Sequence, residues 1–381
     1  MSQTKAQLIS GTATQDLTVE NITSTKINDA PIRNPNLVIN GAMLVAQRGT
    51  SSTSSGIHTV DRFFCNHTGT NEAPTQAQVD VASGTTPYTS GFRKAFKITN
   101  GNQTSGAGAG DFIFIQTKLE AQDVANSGWD YLSTTNYVTL SFWVKSSVAQ
   151  DFKGYLRSRD GTERVYPFAT GSLTADTWTK VTKTIPGNSG LQFDNDNGEG
   201  LQIVIGGFFG TDYTDNSATE DAWATWGSGA TRVKDNTSTW YTTNDATLEV
   251  TGVKLELGSV ATGYFHLTNA EELIQCQRYF QKVRGGIGTS ASSTQVNGVL
   301  ITRVIQRSDA TLSKGTGNTY NYGNMINTGY TSTGTPTFFR NDGPLGHYCY
   351  SLAGFSGLPT GDEQRDEGDG GSATFDLDAE L

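Results

Sequence analysis

The chain has 381 residues, enough for two or three domains of ~100–200 residues each. Only 17% of residues are charged, against a usual ~25%, while 44 glycines with abundant Ser, Thr and Asn favour turns and strands; 6 Trp, 14 Tyr and 18 Phe exclude a disordered polymer. Of the net charge of −10, residues 362–381 supply −7, and the nearly neutral remainder has no basic footprint for nucleic acid.

That acidic stretch (Asp362, Glu363, Asp366, Glu367, Asp369, Asp376, Asp378 and Glu380 against Arg365) is expected to be a solvated end. Cys65, Cys276 and Cys349 are odd in number and far apart, which fits neither a disulfide framework nor a zinc site. The opening MSQTKAQLIS lacks the apolar stretch of a secretion signal, and no segment approaches the ~20 apolar residues of a membrane span. Synthesis in a reducing cytoplasm, without membrane insertion, is the expectation.

In chain order, residues 1–35 read as a separate extended element. Leu17, Val19, Ile22 and Ile27 alternate with polar residues, and Pro31 and Pro35 close the segment. It is too short and polar to build a core alone, so it either pairs with another chain or forms a loose leader. Residues 36–267 read as one large all-β domain, with strands expected near 36–39, 59–65, 93–99, 111–119, 137–145, 152–158, 178–185, 202–208 and 246–257. In 137–145, Val138, Leu140, Phe142 and Val144 fall on one face, and Thr139, Ser141 and Trp143 on the other. Trp143 and Trp178, lying within strands, are expected in the core. Many short strands separated by Gly/Asn/Asp clusters fit a jelly-roll or related sandwich.

One helix is expected. Thr268 with Glu271 matches a capping box, and Leu273, Cys276, Phe280 and Val283 recur at helical steps, which predicts a linker helix within 268–283. Strand character resumes over 284–381 near 295–305, 311–312, 320–325, 337–340, 348–352 and 374–377, as a smaller C-terminal β-sandwich.

Several blocks in fixed order resemble a jelly-roll domain found in tail fibre proteins of tailed bacteriophages, especially marine and cyanobacterial ones. They are 36–43 (NLVINGAM), Gln47-Arg48-Gly49, Val60-Asp61-Arg62-Phe63, 138–146 (VTLSFWVKS), Thr177-Trp178-Thr179-Lys180, 248–262 (LEVTGVKLELGSVAT), Glu271-Glu272-Leu273 and Cys276-Gln277-Arg278-Tyr279-Phe280. Together they cover roughly residues 36–281, and Thr4–Ile9 also looks like the start of such fibres. Phe63 stands where that family usually has Trp, and Gly263 lies near its usual Pro. The resemblance implies a carbohydrate-binding-module-like fold, homotrimeric assembly and attachment to other virion tail proteins through residues 1–35.

The residues offer three kinds of chemistry to consider: hydrolysis, calcium binding and glycan binding. Hydrolysis of a polysaccharide needs two placed carboxylates, and none sits in a recognisable motif; His58, His67, His266 and His347 are scattered. No Gly-x-Ser-x-Gly, His-Glu-x-x-His or phosphate loop is present, so no catalysis is expected. Asp194, Asp196 and Glu199, on a Gly-bearing turn, are candidate ligands for a structural calcium; the alternative is a polar hairpin turn. Glycan binding needs exposed aromatic rings and planar polar groups. Tyr213, Asp215, Asp221, Trp223 and Trp226 fall in a polar stretch, 210–229, followed by Trp240 and Tyr241; these rings are either exposed binders or plugs filling a core. Asp61 and Arg62, as neighbours on a strand, are expected on opposite faces, with a structural salt bridge to Arg62.

The expected function is a non-catalytic tail fibre subunit that binds a host cell-surface polysaccharide, assembled in the host cytoplasm, with its C-terminal part distal. A structural virion component, such as a linker or capsid decoration, is the alternative; a depolymerase tailspike is a weaker one.

Overall fold

In a computed structural model the described residues are 26–27, 30–31, 35–227, 233–283, 286–315, 320–323, 330–342, 346–366 and 374–381. Most of the 1–35 segment thus lies outside them. What is described there is a short antiparallel pair, β1 (Lys26–Ile27) with β2 (Ala30–Pro31).

The strands that follow are β3 (Ser51–Ser52), β4 (Phe64–Thr68), β5 (Thr75–Asp80), β6 (Lys94–Thr99), β7 (Phe112–Glu120), β8 (Tyr137–Ser146), β9 (Asp151–Ser158), β10 (Arg164–Ser172), β11 (Thr179–Pro186), β12 (Glu199–Phe209), β13 (Ala224–Thr225) and β14 (Thr247–Leu257). They form two six-stranded antiparallel sheets, ordered β13-β10-β9-β12-β7-β4 and β11-β8-β14-β6-β5-β3. The sheets face each other as a jelly-roll sandwich. Period-two alternation explains the packing: Val138, Leu140, Phe142 and Val144 of β8 meet Ile203 and Ile205 of β12 and Leu156 of β9 in one buried core. Three one-turn helices, α1 (Thr86–Thr89), α2 (Ala121–Ala125) and α3 (Thr239–Thr242), lie in the connections.

The longer helix α4 (Asn269–Gln277) begins at the expected capping box: Thr268 accepts from the Glu271 amide, and the Glu271 carboxylate accepts from the Thr268 amide. It ends earlier than expected. Residues 280–283 are instead a strand, β15 (Phe280–Val283). The later strands are β16 (Ile287–Ser292), β17 (Gln295–Ile301), β18 (Thr311–Lys314), β19 (Tyr320–Gly323), β20 (Tyr330–Ser332), β21 (Thr337–Asp342), β22 (His347–Ala353), β23 (Glu363–Asp366) and β24 (Phe375–Asp378). A seven-stranded sheet, β20-β19-β23-β16-β17-β22-β21, and a three-stranded one, β15-β24-β18, enclose a second core around Leu300, Tyr322, Tyr350, Phe375 and Leu377. This is the smaller β-sandwich.

The two sandwiches are clasped by charge. Arg278 makes a two-pronged contact with Glu120, at 2.8 Å to each oxygen. The buried Arg62 pairs with Glu380, lies 3.4 Å from the Tyr279 ring centre and donates to the Lys118 carbonyl. Arg48 reaches Asp378 (3.0 Å) and Glu380 (3.4 Å) while stacking on Phe280. Residues 374–381 are therefore not a solvated tail, since Ala379 is buried and hydrogen-bonded to the Tyr279 carbonyl; Asp362 and Glu363 are exposed, and Glu367 and Asp369 lie outside the described residues. The expectation for Asp61 and Arg62 also needs correction. They lie in a turn, with Arg62 at φ 71°, and both are buried. Strand alternation does not apply there. Arg62 does have the carboxylate partner expected of it.

Candidate functional site

The outer surface of the first sheet is set by the same alternation that fills the core. While Ile113, Ile115, Ile203, Ile205 and Leu156 point inward, Gln116, Lys118, Gln202, Tyr155 and Arg157 point out. Register then builds two rows across the strands. One runs Lys118, Gln202, Arg157; the next runs Phe64, Gln116, Val204, Tyr155. The Gln116 carbonyl oxygen accepts from Asn66 at 3.2 Å, and Gln202 donates to Glu199.

The edge strand β13 fixes one wall. Arg164 pairs with Thr225 and Val165 with Ala224, and the Trp226 amide donates to the Glu163 carbonyl at 2.9 Å. The chain thereby lays the Trp226 indole over the outer face, 3.7 Å from the Arg157 guanidinium and 5.7 Å from the Tyr155 ring. Glu163 holds Arg157 in place, with Oε2 accepting from Nε at 2.8 Å. Burial, offset by Glu163, leaves the Arg157 pKa below its ordinary value while the group stays cationic. At the other end, Lys118 is pinned by Glu199 (3.1 Å) and the Leu381 backbone oxygen (2.8 Å), so the C-terminal sandwich bounds the strip. Between these walls lie the Gln116 and Gln202 amides, 8% and 7% exposed, beside the half-buried Arg157 and Trp226, with Tyr155 buried beneath.

Of the residues expected from sequence, only Trp226 sits on this strip. Tyr213 shares the outer face but packs edge-on against Phe112, 5.2 Å away. Trp223 plugs the rim between the sheets: its Nε1 donates to the Pro186 carbonyl at 2.7 Å, and its ring meets Tyr166 edge-on at 5.3 Å. Asp221 pairs with Lys183 at 3.1 Å, and Asp215 accepts from the Ser217 amide in its own turn, which lowers its pKa. Trp240 and Tyr241 are corrected outright, since both are completely buried in the jelly-roll core. Trp240 donates to the Thr247 carbonyl and fits because Gly207 has no side chain; a Cβ there would lie 2.7 Å from the indole. Tyr241 stacks on Phe208 at 4.5 Å.

The calcium expectation also fails. Asp196 accepts from the Gly198 amide within its turn, and Glu199 is taken by Lys118 and Arg159. Among the described residues no group of three His, Cys, Asp or Glu side chains is placed to hold a metal. The polar-turn alternative fits instead. Trp143 and Trp178, expected in the core, are half-buried against a small cluster separate from it. Sequence reasoning missed Gln116, Gln202 and Arg157; the signal available was their out-facing parity on β7, β12 and β9.

No family model and no curated protein matches the sequence. Solved structures similar to it include the enzymatically active domain of tailspike protein 4 from bacteriophage CBA120, at 10% identity over 58% of this chain and TM-score 0.31; this chain spans 21% of that one. The N-terminal cellulose-binding domain of Cellulomonas fimi β-1,4-glucanase C is similar at 10% identity over 57% of this chain and 99% of that one, TM-score 0.27. The family 11 carbohydrate-binding module of Clostridium thermocellum Lic26A-Cel5E is similar at 11% identity over 55% and 95%, TM-score 0.25. Scores this low leave the chain's own side chains to say what it binds.

Proposed function

We propose that this chain is a tail fibre subunit that adheres to a host cell-surface polysaccharide through the outer strip of its first sheet, without turning the glycan over. The observation that carries the reading is the Trp226 indole laid over Arg157 and Tyr155 beside the Gln116 and Gln202 amides. An indole offers the apolar face of a sugar ring a flat surface, and amides and a guanidinium match hydroxyls in pairs. The ordered blocks over residues 36–281 support the virion assignment, as does the leader at Thr4–Ile9, which lies outside the described residues. In this reading residues 1–35 attach to another tail protein and the subunit is a homotrimer. Ile287, Val299 and Ile301, exposed on the paired strands β16 and β17 of the C-terminal sandwich, support self-association.

Adsorption to host cells tests the strip. Trp226→Ala is expected to weaken binding about tenfold or more, a loss of about 1.4 kcal/mol. Gln116→Ala, which leaves every aromatic in place, is expected to weaken it less. Adsorption unchanged in both variants removes the strip from the function. New reducing ends released from host polysaccharide by the purified chain would replace adhesion with depolymerisation.

A further inference from the structure

The opposite surface of the jelly-roll holds a second cleft, unrelated to the strip. Register across the second sheet sets Lys180 of β11 directly beside Trp143 of β8, with Thr251 of β14 beyond. The next row down is Thr182, Ser141, Lys254. Directly opposed side chains on one face stand about 5 Å apart at Cβ. The 262–264 segment and the turn at Ser90 roof these rows, enclosing a cleft of about 310 Å³, at the low end of the ~300–1,000 Å³ typical of ligand pockets. Gly252, at φ +65°, gives Phe92 room against β14; a Cβ there would lie 2.6 Å from that ring. Phe92 and Tyr264 meet edge-on at 4.9 Å and form the apolar end of the cleft.

The polar groups divide into those already engaged and those left over. Lys254 is a strut: its ammonium is held by Glu256 (2.9 Å), Thr262 (2.8 Å) and the Gly263 carbonyl (3.0 Å), all three donors used. With Glu256 it is nearly charge-neutral. Lys180 is different. It is exposed at the mouth and meets no carboxylate among the described residues. Ser141 is 3% exposed as a whole, and its hydroxyl, which bonds to no protein group among them, opens into the cleft. A hydroxyl open to the cleft can donate to or accept from a guest. The Trp143 ring, half-buried, stands between the two.

We infer that this cleft is a second glycan subsite, specific for an acidic sugar: the pyranose face of a hexuronate lies on Trp143, its carboxylate pairs with Lys180, and a ring hydroxyl bonds to Ser141. One unpaired cation beside one ring matches one carboxylate on one sugar. It does not match a polyanion, which needs several cations. The inference stands whether or not the first sheet binds glycan, because the two surfaces share no residue.

Titration of the full chain with a glucuronate-containing trisaccharide, and with the same trisaccharide after its carboxyl is reduced to the alcohol, tests it. Saturable binding of the acidic form is expected, with the reduced form at least about tenfold weaker, as loss of a charge-assisted hydrogen bond implies. Lys180→Glu is expected to abolish binding with the melting temperature unchanged, since Lys180 is exposed. Ser141→Ala should weaken it severalfold. Trp226→Ala should leave it intact, which separates this site from the strip. Absence of saturable binding, equal binding of the two trisaccharides, or binding indifferent to Lys180→Glu overturns the inference. So does inorganic phosphate competing as well as the sugar.

Discussion

Asp61 shows how a buried charge shapes the response of this protein to pH. Burial pushes its carboxyl up to about 6, against the pull of Gln47, whose side chain donates at 2.5 Å, and of Arg48 at 3.7 Å; Glu380 adds to the rise. The folded pKa thus lies above the unfolded value of ~3.9, and the folded state binds this proton more tightly. The stabilisation from Asp61 is fully present below about pH 4 and is lost as pH rises through about 6, a difference of about 3 kcal/mol if nothing else titrates. Asp61→Asn cannot charge. Its stability relative to the native chain is therefore expected to improve between pH 4 and pH 7.5, measured as the difference in denaturant midpoints. A relative stability that is flat across that range would mean Asp61 titrates normally. The same scale shows why the site was half legible. Trp226 stands out as a large ring in a polar stretch, but so do Trp240 and Tyr241, and only a distant glycine, Gly207, decides that Trp240 is core. Gln116 and Gln202 carry no local signal. They become neighbours of Arg157 and Tyr155 through pairings of strands distant in sequence.

At the scale of elements, period-two stretches were readable because local pattern and final burial agree; β8 and β14 lie within a residue or so of where their apolar alternation puts them. Two failures have physical causes. Residues 75–80 (TQAQVD) look polar, yet they form β5, because Gln76 is buried through hydrogen bonds to Thr59, Ser54 and Gly56. Residues 280–283 keep helical spacing from Cys276, but pairing with β24, about a hundred residues away in sequence, draws them into a strand. The seven-stranded sheet carries an element-scale prediction. Ile287 of β16 opposes Val299 of β17, and Val299 and Ile301 point outward, with Ile301 73% exposed. Apolar groups aligned on an outer face mark an association surface. The purified chain is expected to run as a trimer, and Ile301→Glu to shift its mass toward the monomer with circular dichroism unchanged. A native chain that is monomeric at micromolar concentration removes both the trimer and this surface.

Among the described residues the two sandwiches are joined by several ion pairs, alongside neutral hydrogen bonds and ring contacts. Arg62 is 2% exposed and Glu380 10% exposed, so the pair is desolvated at some cost and its worth lies mainly in what happens when half of it is removed. Losing one partner of such a pair costs about 3–5 kcal/mol, because the other charge stays buried. Arg62 has few ways to recover, with its guanidinium pressed on Tyr279 and its Nε already without a partner among the described residues. Glu380 also receives Arg48, and its backbone oxygen accepts from Arg307 at 3.2 Å, so this one residue joins the 48–62 turns to the chain around Arg307. The clasp lies next to Lys118, at the edge of the outer strip proposed to bind glycan, which makes strip geometry depend on docking of the second sandwich. Calorimetry of the native chain is expected to give a single transition. In Glu380→Ala the C-terminal sandwich should melt separately and earlier, and adsorption should fall although no residue of the strip has changed. A Glu380→Ala chain that keeps one transition within a degree of the native one would show that the sandwiches are held by apolar packing instead, with the ion pairs as bystanders.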